Sequence, residues 1–206
     1  MAPTIAELAT ARLPVEFYTR DVLDVAPALI GQVLVHRQRA GIIVETEAYR
    51  GTEDLASHAR FGPTARTEVM FGRGGIAYVY LCYGIHEMFN IVTGTAGTGE
   101  AVLIRAIAPL VGLPEDPTVG RGPGKVTRAL GLDRRHDRRD LARGALYVAA
   151  PPSPVPFELA TGPRVGVAYA KQWAAHPYRF WWRDHPSVSA TPAAASRGTS
   201  ATRRKR

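Results

Sequence analysis

Apolar residues recur along the chain in short runs separated by turn-forming residues, a pattern that predicts a β-rich fold. Seven runs are predicted to be strands: 32–36, 42–49, 76–82, 89–93, 101–107, 145–149 and 164–169. Short turns connect several consecutive runs, and such connections can join only antiparallel neighbours. The predicted sheet is therefore mostly antiparallel.

Apolar residues are spaced as in a helix in three places. These are residues 22–30, with Asp21 as a candidate N-cap, residues 124–131, and a brief segment at 170–174. Residues 51–75 have no sustained period and are predicted to be a long surface loop, the kind of segment that often carries function.

These elements predict an α+β fold in a single domain spanning residues 1–189. Its curved, open-barrel-like antiparallel sheet would be flanked by helices. Residues 190–206 are rich in Ser, Thr, Ala and Pro and end in four consecutive basic residues. Such a composition buries too little apolar surface to offset chain entropy, so we expect a disordered basic C-terminal tail.

Charge and cysteine content narrow the functional classes. The 206 residues include 26 Lys and Arg against 18 Asp and Glu, a formal net charge of +8, which favours a polyanionic partner through counterion release. The single cysteine, Cys82, provides neither a disulfide framework nor a thiolate metal site. There is no secretory pattern and no apolar run of membrane-spanning length, so we expect a cytoplasmic protein without membrane association.

Two charged residues stand out because one lies in a strand predicted to be half-buried and the other in a strand predicted to be buried. Glu47 shares one strand face with Glu45 and Tyr49, while Arg105 lies in an apolar run that implies burial on both sides. A buried guanidinium needs an acidic partner. The hypothesis is that Arg105 faces Glu47 and orients it toward a water, so that Arg105→Ala leaves a folded but nearly inactive protein. The alternative is an ordinary structural ion pair.

Aromatic residues are dense between positions 49 and 89, among several arginines, which suits base stacking and phosphate contact, although strand aromatics are also common core residues. Tyr83 differs because Gly84 follows it. That dipeptide indicates a hairpin tip, where a protruding ring could wedge between bases. Downstream, residues 122–125 (GPGK) open a helix whose N-terminus suits a phosphate.

Other chemistries have weaker support. Glu45, Glu47, Asp54 and His58 could supply ligands to a metal, but no His-rich or Glu-x-x-His helical signature accompanies them. His58 alone is more often a loop or core histidine. The chain contains no nucleophile elbow or Cys–His nucleophile. We therefore expect no metal and no other cofactor.

Several motifs in one order resemble a known family. Residues 44–59 read VETEAYRGTEDLASHA, and this stretch resembles the hallmark of alkyladenine (3-methyladenine) DNA glycosylases. The resemblance continues through residues 70–93 and 101–109, and with shorter motifs it covers residues 13–189.

The family's functional residues fall on matching positions of this chain. The resemblance implies that Glu47 and Arg105 are catalytic and that Tyr83 intercalates into DNA. The implied base pocket consists of Tyr49, His58, Tyr80, Asn90 and Leu103. The implied contacts with the DNA backbone are made by Thr64, Arg66, Met70 and Lys125.

The implied activity is that of a monofunctional DNA N-glycosylase in base-excision repair. Such an enzyme, expected to be a monomer, rotates an alkylated or deaminated purine out of double-stranded DNA while Tyr83 fills the gap. Glu47 would activate the attacking water, and Asn90 would oppose the 2-amino group of normal guanine. No lysine is placed by these motifs as an amine nucleophile, so we expect hydrolysis without strand cleavage.

Three positions depart from the family pattern: Ala65, Glu68 and Glu87. The two added carboxylates could weaken duplex binding, which leaves a second hypothesis, a lesion-binding DNA module with weak or no catalysis. A third hypothesis is an RNA-binding or formyl-transfer-related β-barrel domain, in which Glu47 would have no purpose. The presence of both Glu47 and Arg105 favours the enzyme.

Overall fold

The computed structural model of the protein describes residues 2–189, and the tail predicted for residues 190–206 lies outside the described residues. The described chain is a single α+β domain, as predicted. Its centre is an eight-stranded antiparallel sheet, strongly curled into a half-barrel.

The strands follow the order β3-β4-β5-β2-β1-β6, and β8 pairs with both β2 and β7. Their bounds are β1 Val33–His36, β2 Arg39–Tyr49, β3 Ala77–Cys82, β4 His86–Thr93, β5 Glu100–Val111, β6 Leu146–Ala149, β7 Leu159–Gly162 and β8 Arg179–Trp182. The α-helices are α1 Ile5–Thr10, α2 Val15–Tyr18, α3 Val22–Ala28 and α4 Pro123–Leu130. Shorter 3₁₀ helices span His58–Phe61, Glu68–Phe71, Arg134–His136 and Ala168–Ala175.

Strands β2 and β5 are the longest and pair along most of their length. Register shifts on both sides of Glu45 interrupt this pairing. Such irregularities bend a strand pair and increase its twist. One face of the sheet packs on α3, and the shared core includes Val22, Val25, Leu29, Leu34, Ile43, Phe89, Ile104 and Ile107.

The helix ends follow local sequence signals. Asp21 caps α3, as predicted, by accepting a hydrogen bond from the N–H of Leu23 at 2.8 Å. Helix α4 begins after Gly122, with φ 113°, and ends at Gly131 in the left-handed region, with φ 68°. Both glycines adopt backbone angles that side chains disfavour, so the position of α4 is set by its flanking residues.

One predicted strand is wrong. Residues 164–169 form a turn that leads into the 3₁₀ helix Ala168–Ala175. Gly166 has φ 77°, which ends any extended run, and the apolar residues that suggested a strand instead line a cavity. Strands β7 and β8 and helices α1 and α2 were not predicted, because their apolar runs are short.

Candidate active site

A row of side chains crosses five strands on one face of the curled sheet. Cross-strand partners share a face, so the strand register places them side by side. From β3 to β8 the row is Tyr78, Asn90, Leu103, Glu47 and Arg179. Each member comes from a different strand, and Glu47 lies between β5 and β8.

Glu47 is fully buried, with 0% of its surface exposed. Its Oε1 accepts a hydrogen bond from the backbone N–H of Val165 at 2.7 Å and lies 3.4 Å from Nη1 of Arg105. Its Oε2 accepts from the hydroxyl of Tyr49 at 2.8 Å. Since a carboxylate offers about four lone-pair sites, Oε2 keeps capacity for one more donor, such as a water.

Arg105 contacts two carboxylates. Its Nε donates to Oε1 of Glu45 at 3.2 Å, in addition to its contact with Glu47. The β2–β5 register passes from Ala106 directly to Ile104, which places the guanidinium between the two glutamates. Burial alone would lower the pKa of Arg105, but the charges of Glu47 and Glu45 outweigh it and raise that pKa above its ordinary value. The predicted pairing of Arg105 with Glu47 is confirmed, with Glu45 as a second partner.

Glu45 is anchored by the last described part of the chain. Its Oε1 accepts from Nε of Arg179 at 2.7 Å and from the hydroxyl of Ser189 at 2.9 Å. Its Oε2 accepts from the backbone N–H of Ser189 at 2.7 Å. The two glutamates on this face therefore differ, since Glu45 is surrounded by structural partners and Glu47 faces groups that border a cavity.

A cavity of about 410 Å³ opens beside Glu47, within the size range of small-molecule sites. Glu47 is not one of the lining residues, but the three groups that contact it, Tyr49, Arg105 and Val165, all are. The carboxylate therefore lies directly behind the cavity wall.

Aromatic rings form much of this wall. Tyr49, His58, Tyr78 and Tyr80 all line the cavity. The ring centroids of His58 and Tyr80 are 4.7 Å apart, and Nδ1 of His58 is 3.0 Å from the hydroxyl of Tyr78. The rings give the cavity an aromatic wall against which a flat aromatic ligand can stack.

The ring side chains are neutral at pH 7. Burial, assisted by the charges of Arg66 and Arg60, lowers the pKa of His58 to about 4. Burial, together with the charge of Glu47, raises the pKa of Tyr49 well above its usual value. The Tyr49 hydroxyl therefore keeps the proton that it donates to Glu47.

The tip of the β3–β4 hairpin lies at the rim of this cavity. Cys82 pairs with His86, and the turn between them contains Tyr83, Gly84 and Ile85. Tyr83 is 92% exposed and Ile85 is 71% exposed. Tyr83 also adopts φ 49°, an uncommon conformation for a tyrosine, and it contributes to the cavity lining. The predicted placement of Tyr83 at a hairpin tip is confirmed.

The chain matches the family model described as methylpurine-DNA glycosylase over residues 16–186. The chain belongs to the methylpurine-DNA glycosylase family. A Myxococcus xanthus (strain DK1622) protein is 52% identical over 185 residues, which cover 87% of this chain and 94% of that protein. A Legionella pneumophila (strain Corby) protein is 46% identical over 184 residues, which cover 87% and 99%. Both are named "Putative 3-methyladenine DNA glycosylase".

Membership establishes the class of reaction. Methylpurine-DNA glycosylases hydrolyse N-glycosyl bonds, so the chain is an enzyme with a role as a 3-methyladenine DNA glycosylase, and its substrate is DNA. In residues 2–189, helices with the length and apolar character needed to cross a bilayer are absent.

The four residues that are expected to contact the DNA backbone divide into two groups. Thr64, Arg66 and Lys125 are exposed, and Lys125 lies in the first turn of α4, with Nζ 3.1 Å from the carbonyl of Thr118. Met70 is only 2% exposed and lines the cavity, so its side chain has no surface to offer to a phosphate. The contact of Met70 with the DNA backbone stays a prediction, and its side chain is not available for that contact.

The carboxylates that depart from the family pattern are both paired with arginines. Oε2 of Glu68 lies 3.3 Å from Nη2 of Arg138, and Oε1 of Glu87 lies 3.2 Å from Nε of Arg134. Each negative charge is thus balanced locally. The expected penalty for a DNA phosphate near these positions is correspondingly smaller.

The residues considered as metal ligands have separate partners: Glu45 binds Arg179, Asp54 binds Arg164, and His58 binds Tyr78. No group of three His, Cys, Asp or Glu side chains arranged to hold a metal occurs between residues 2 and 189.

Several site residues escaped the sequence analysis. Tyr78, Val165 and Val167 line the cavity, and a fully buried Asp54–Arg164 pair lies behind it. Tyr78 has no signal in the sequence beyond its place among the aromatic residues between positions 49 and 89. Arg164 is the first residue of the run 164–169, which predicts a strand, and its position there gives no signal of a buried ion pair.

Proposed function

We propose that the protein is a monofunctional DNA N-glycosylase that rotates alkylated or deaminated purines out of double-stranded DNA and hydrolyses the N-glycosidic bond, with Glu47 activating the water. The observation that carries the proposal is the position of Glu47. A buried carboxylate lies behind the wall of an aromatic cavity and is oriented by an arginine, a tyrosine hydroxyl and a backbone amide.

The chemistry uses the remaining acceptor position of Glu47. A water that donates one proton to this carboxylate attacks C1′ of the flipped nucleotide with its oxygen, and the bond from C1′ to the purine nitrogen breaks. The negative charge of the carboxylate also stabilises the oxocarbenium-like sugar. The bonding electrons leave with the base. A cationic alkylated purine therefore departs as a neutral molecule, whereas a neutral deaminated purine departs as an anion and takes a proton from solvent water.

Recognition of the base is assigned to the cavity walls. Tyr49, His58 and Tyr80 would enclose the purine, and their electron-rich faces would attract an alkylated, positively charged ring. His58 can play this part because its pKa of about 4 keeps it uncharged at pH 7. Leu103 and Asn90 complete the pocket, with Asn90 opposing the 2-amino group of normal guanine.

Extrusion of the base is assigned to the hairpin tip. Unstacking a nucleotide costs a few kcal/mol, less for a damaged base. Tyr83 would fill the vacated space, and its exposure of 92% supports this role, because the ring is free to enter the stack. Thr64, Arg66 and Lys125 would hold the adjacent phosphates.

A hydrolytic route without strand cleavage is supported by the composition of the cavity wall. Within residues 2–189 the lining contains no lysine that could form a Schiff base with the sugar. Borohydride should therefore trap no covalent protein–DNA adduct. A trapped adduct would contradict the monofunctional assignment.

The deciding experiment compares the wild type with Glu47→Gln on duplexes that contain 3-methyladenine, 7-methylguanine, hypoxanthine or ethenoadenine. The wild type should generate abasic sites, and Glu47→Gln should bind the same duplexes while its single-turnover rate falls about 10³-fold, within the range attributed to a general base. Glu158→Gln, in an exposed pair with Arg183, is the matched control. A wild type that binds lesions without releasing bases would make the protein a lesion-binding module.

A further inference from the structure

A fully buried ion pair lies behind the cavity. The side chains of Asp54 and Arg164 are both 0% exposed. Nη2 of Arg164 donates to Oδ1 of Asp54 at 2.9 Å, and Nη1 donates to Oδ2. The same guanidinium donates to the carbonyls of Ala48 at 2.9 Å and Trp173 at 3.3 Å. One side chain thus links β2, the loop that follows it and the 3₁₀ helix Ala168–Ala175.

The pair reaches the catalytic groups at two points. The guanidinium carbon of Arg164 lies 4.8 Å from the centroid of the Tyr49 ring, so it supports that ring. The next residue, Val165, donates its N–H to Oε1 of Glu47 at 2.7 Å. A displacement of Arg164 would therefore move both a ring of the cavity wall and a hydrogen-bond donor of Glu47.

Asp54 extends the same connection to the loop. Its Oδ1 accepts from the N–H of Ala56 at 2.9 Å, two residues before His58. Its Oδ2 accepts from the N–H of Arg50 at 3.1 Å, the residue after Tyr49. Both ring-bearing segments of the wall are thus tied to one carboxylate.

The pair is a weak source of stability. Burying two charges carries a desolvation penalty that their attraction barely offsets, and uncharged replacements of similar size are often neutral or stabilising. Nε of Arg164 is buried and finds no acceptor within residues 2–189. Accurate orientation of neighbouring groups is a physical role that such a pair can fill.

We propose that Asp54 and Arg164 are positioning residues of the glycosylase reaction, which hold the Tyr49 ring and the Val165 N–H in register with Glu47. The inference rests on the proposed catalytic role of Glu47. Neither residue lines the cavity, so neither would touch the purine or the water. Since a 1 Å misplacement of a catalytic group can cost about 10²-fold in rate, loss of the pair should slow the chemical step by about that factor and leave DNA affinity unchanged.

The test is the double variant Asp54→Asn/Arg164→Met, which removes both charges and keeps an acceptor for the N–H of Ala56. Its melting temperature should fall, because the carbonyls of Ala48 and Trp173 lose a donor and the N–H of Arg50 loses an acceptor. The rates are therefore compared at a temperature at which the variant is folded. Its single-turnover excision rate should fall about 10²-fold, with an unchanged dissociation constant for a lesion-bearing duplex. The amide proton of Val165 should also move upfield in the NMR spectrum as its hydrogen bond to Glu47 weakens.

Arg73→Met/Asp140→Asn is the matched control, because that pair, 2.7 Å apart, does not line the cavity. Its excision rate should equal that of the wild type. Arg164→Lys keeps the positive charge but cannot form both hydrogen bonds to Asp54, so it should also slow excision. This variant tests the positioning role if the double variant does not fold. An excision rate of the folded double variant, or of Arg164→Lys, within threefold of the wild type would overturn the positioning role. An inactive wild type would instead refute the function of Glu47.

Discussion

The residues around Glu47, which are the row and the Arg105 side chain that contacts it, differ from the tip of the β3–β4 hairpin in their exposure to solvent. The row is buried, and Glu47 has three polar partners that fix its direction. The tip carries Tyr83 and Ile85 with most of their surface exposed. A charge that acts on a developing cation works best when it is fixed and shielded from water, whereas a ring that enters a base stack must be accessible.

The two regions are joined by the same strand pair. Strand β3 provides Tyr80 to the cavity wall, and the chain reaches Tyr83 three residues later. The distance between the cavity and the Tyr83 ring is therefore set by the β3–β4 hairpin itself. The comparison predicts that substitutions in the row impair both the chemical step and stability, and that substitutions at the tip impair only the engagement of DNA.

The largest effect is expected for Arg105→Ala. This change leaves Glu45 and Glu47 buried without their shared cation, and removing one partner of a buried pair costs about 3–5 kcal/mol. Unlike the folded, inactive protein expected from the sequence, the variant should be both inactive and markedly less stable in chemical denaturation. Arg105→Lys should recover part of the stability. An Arg105→Ala protein with wild-type stability and activity would contradict the prediction that the buried residues around Glu47, unlike those of the tip, support both stability and the chemical step.

A smaller effect is expected for Tyr83→Ala. Loss of one stacking ring costs about 1–3 kcal/mol, so the excision rate from duplex DNA at subsaturating enzyme should fall roughly tenfold. The free energy of unfolding should not change, because the ring packs on little protein. Val155→Ala, at a 55% exposed apolar position, is the control. A destabilised Tyr83→Ala protein would show that the tip is part of the core.

Asn90→Ser tests the member of the row that is proposed to discriminate between bases. Asn90 is 4% exposed, and its Nδ2 donates to the carbonyl of Tyr78 at 3.1 Å. The substitution should cost about 1 kcal/mol of stability through this hydrogen bond and should increase the release of normal guanine from undamaged duplexes. Unchanged guanine release would contradict the steric role of Asn90.

A separate effect concerns pH. Because the pKa of His58 is about 4 in the folded protein and near 6.5 when unfolded, the unfolded chain binds more protons between these values. The stability that His58 contributes is therefore complete above about pH 6.5 and declines as the pH falls toward 4. Denaturation at pH 7 and pH 4.5 should show a larger loss for the wild type than for His58→Gln. Equal losses would mean that His58 is not shielded by the cavity.

The sequence by itself determined most of the sheet, the cap of α3, the hairpin tip at Tyr83 and the pairing of Arg105 with Glu47. These features depend on local rules: alternation of apolar residues, side-chain capping, glycine after a turn residue, and the need of a buried cation for a carboxylate. The motif at residues 44–59 was sufficient to indicate the family.

Only the tertiary structure decided the other neighbours of Glu47. Val165 and Arg164 are more than 100 positions away along the chain and reach the site because β8 returns beside β2. The register shift between β2 and β5 places the Arg105 guanidinium beside two carboxylates. Met70 faces inward because the 3₁₀ helix Glu68–Phe71 packs on the cavity. Such contacts depend on the register of the strands and on which distant segments pair with each other. Both are set by packing of the whole domain and leave no local pattern in the sequence.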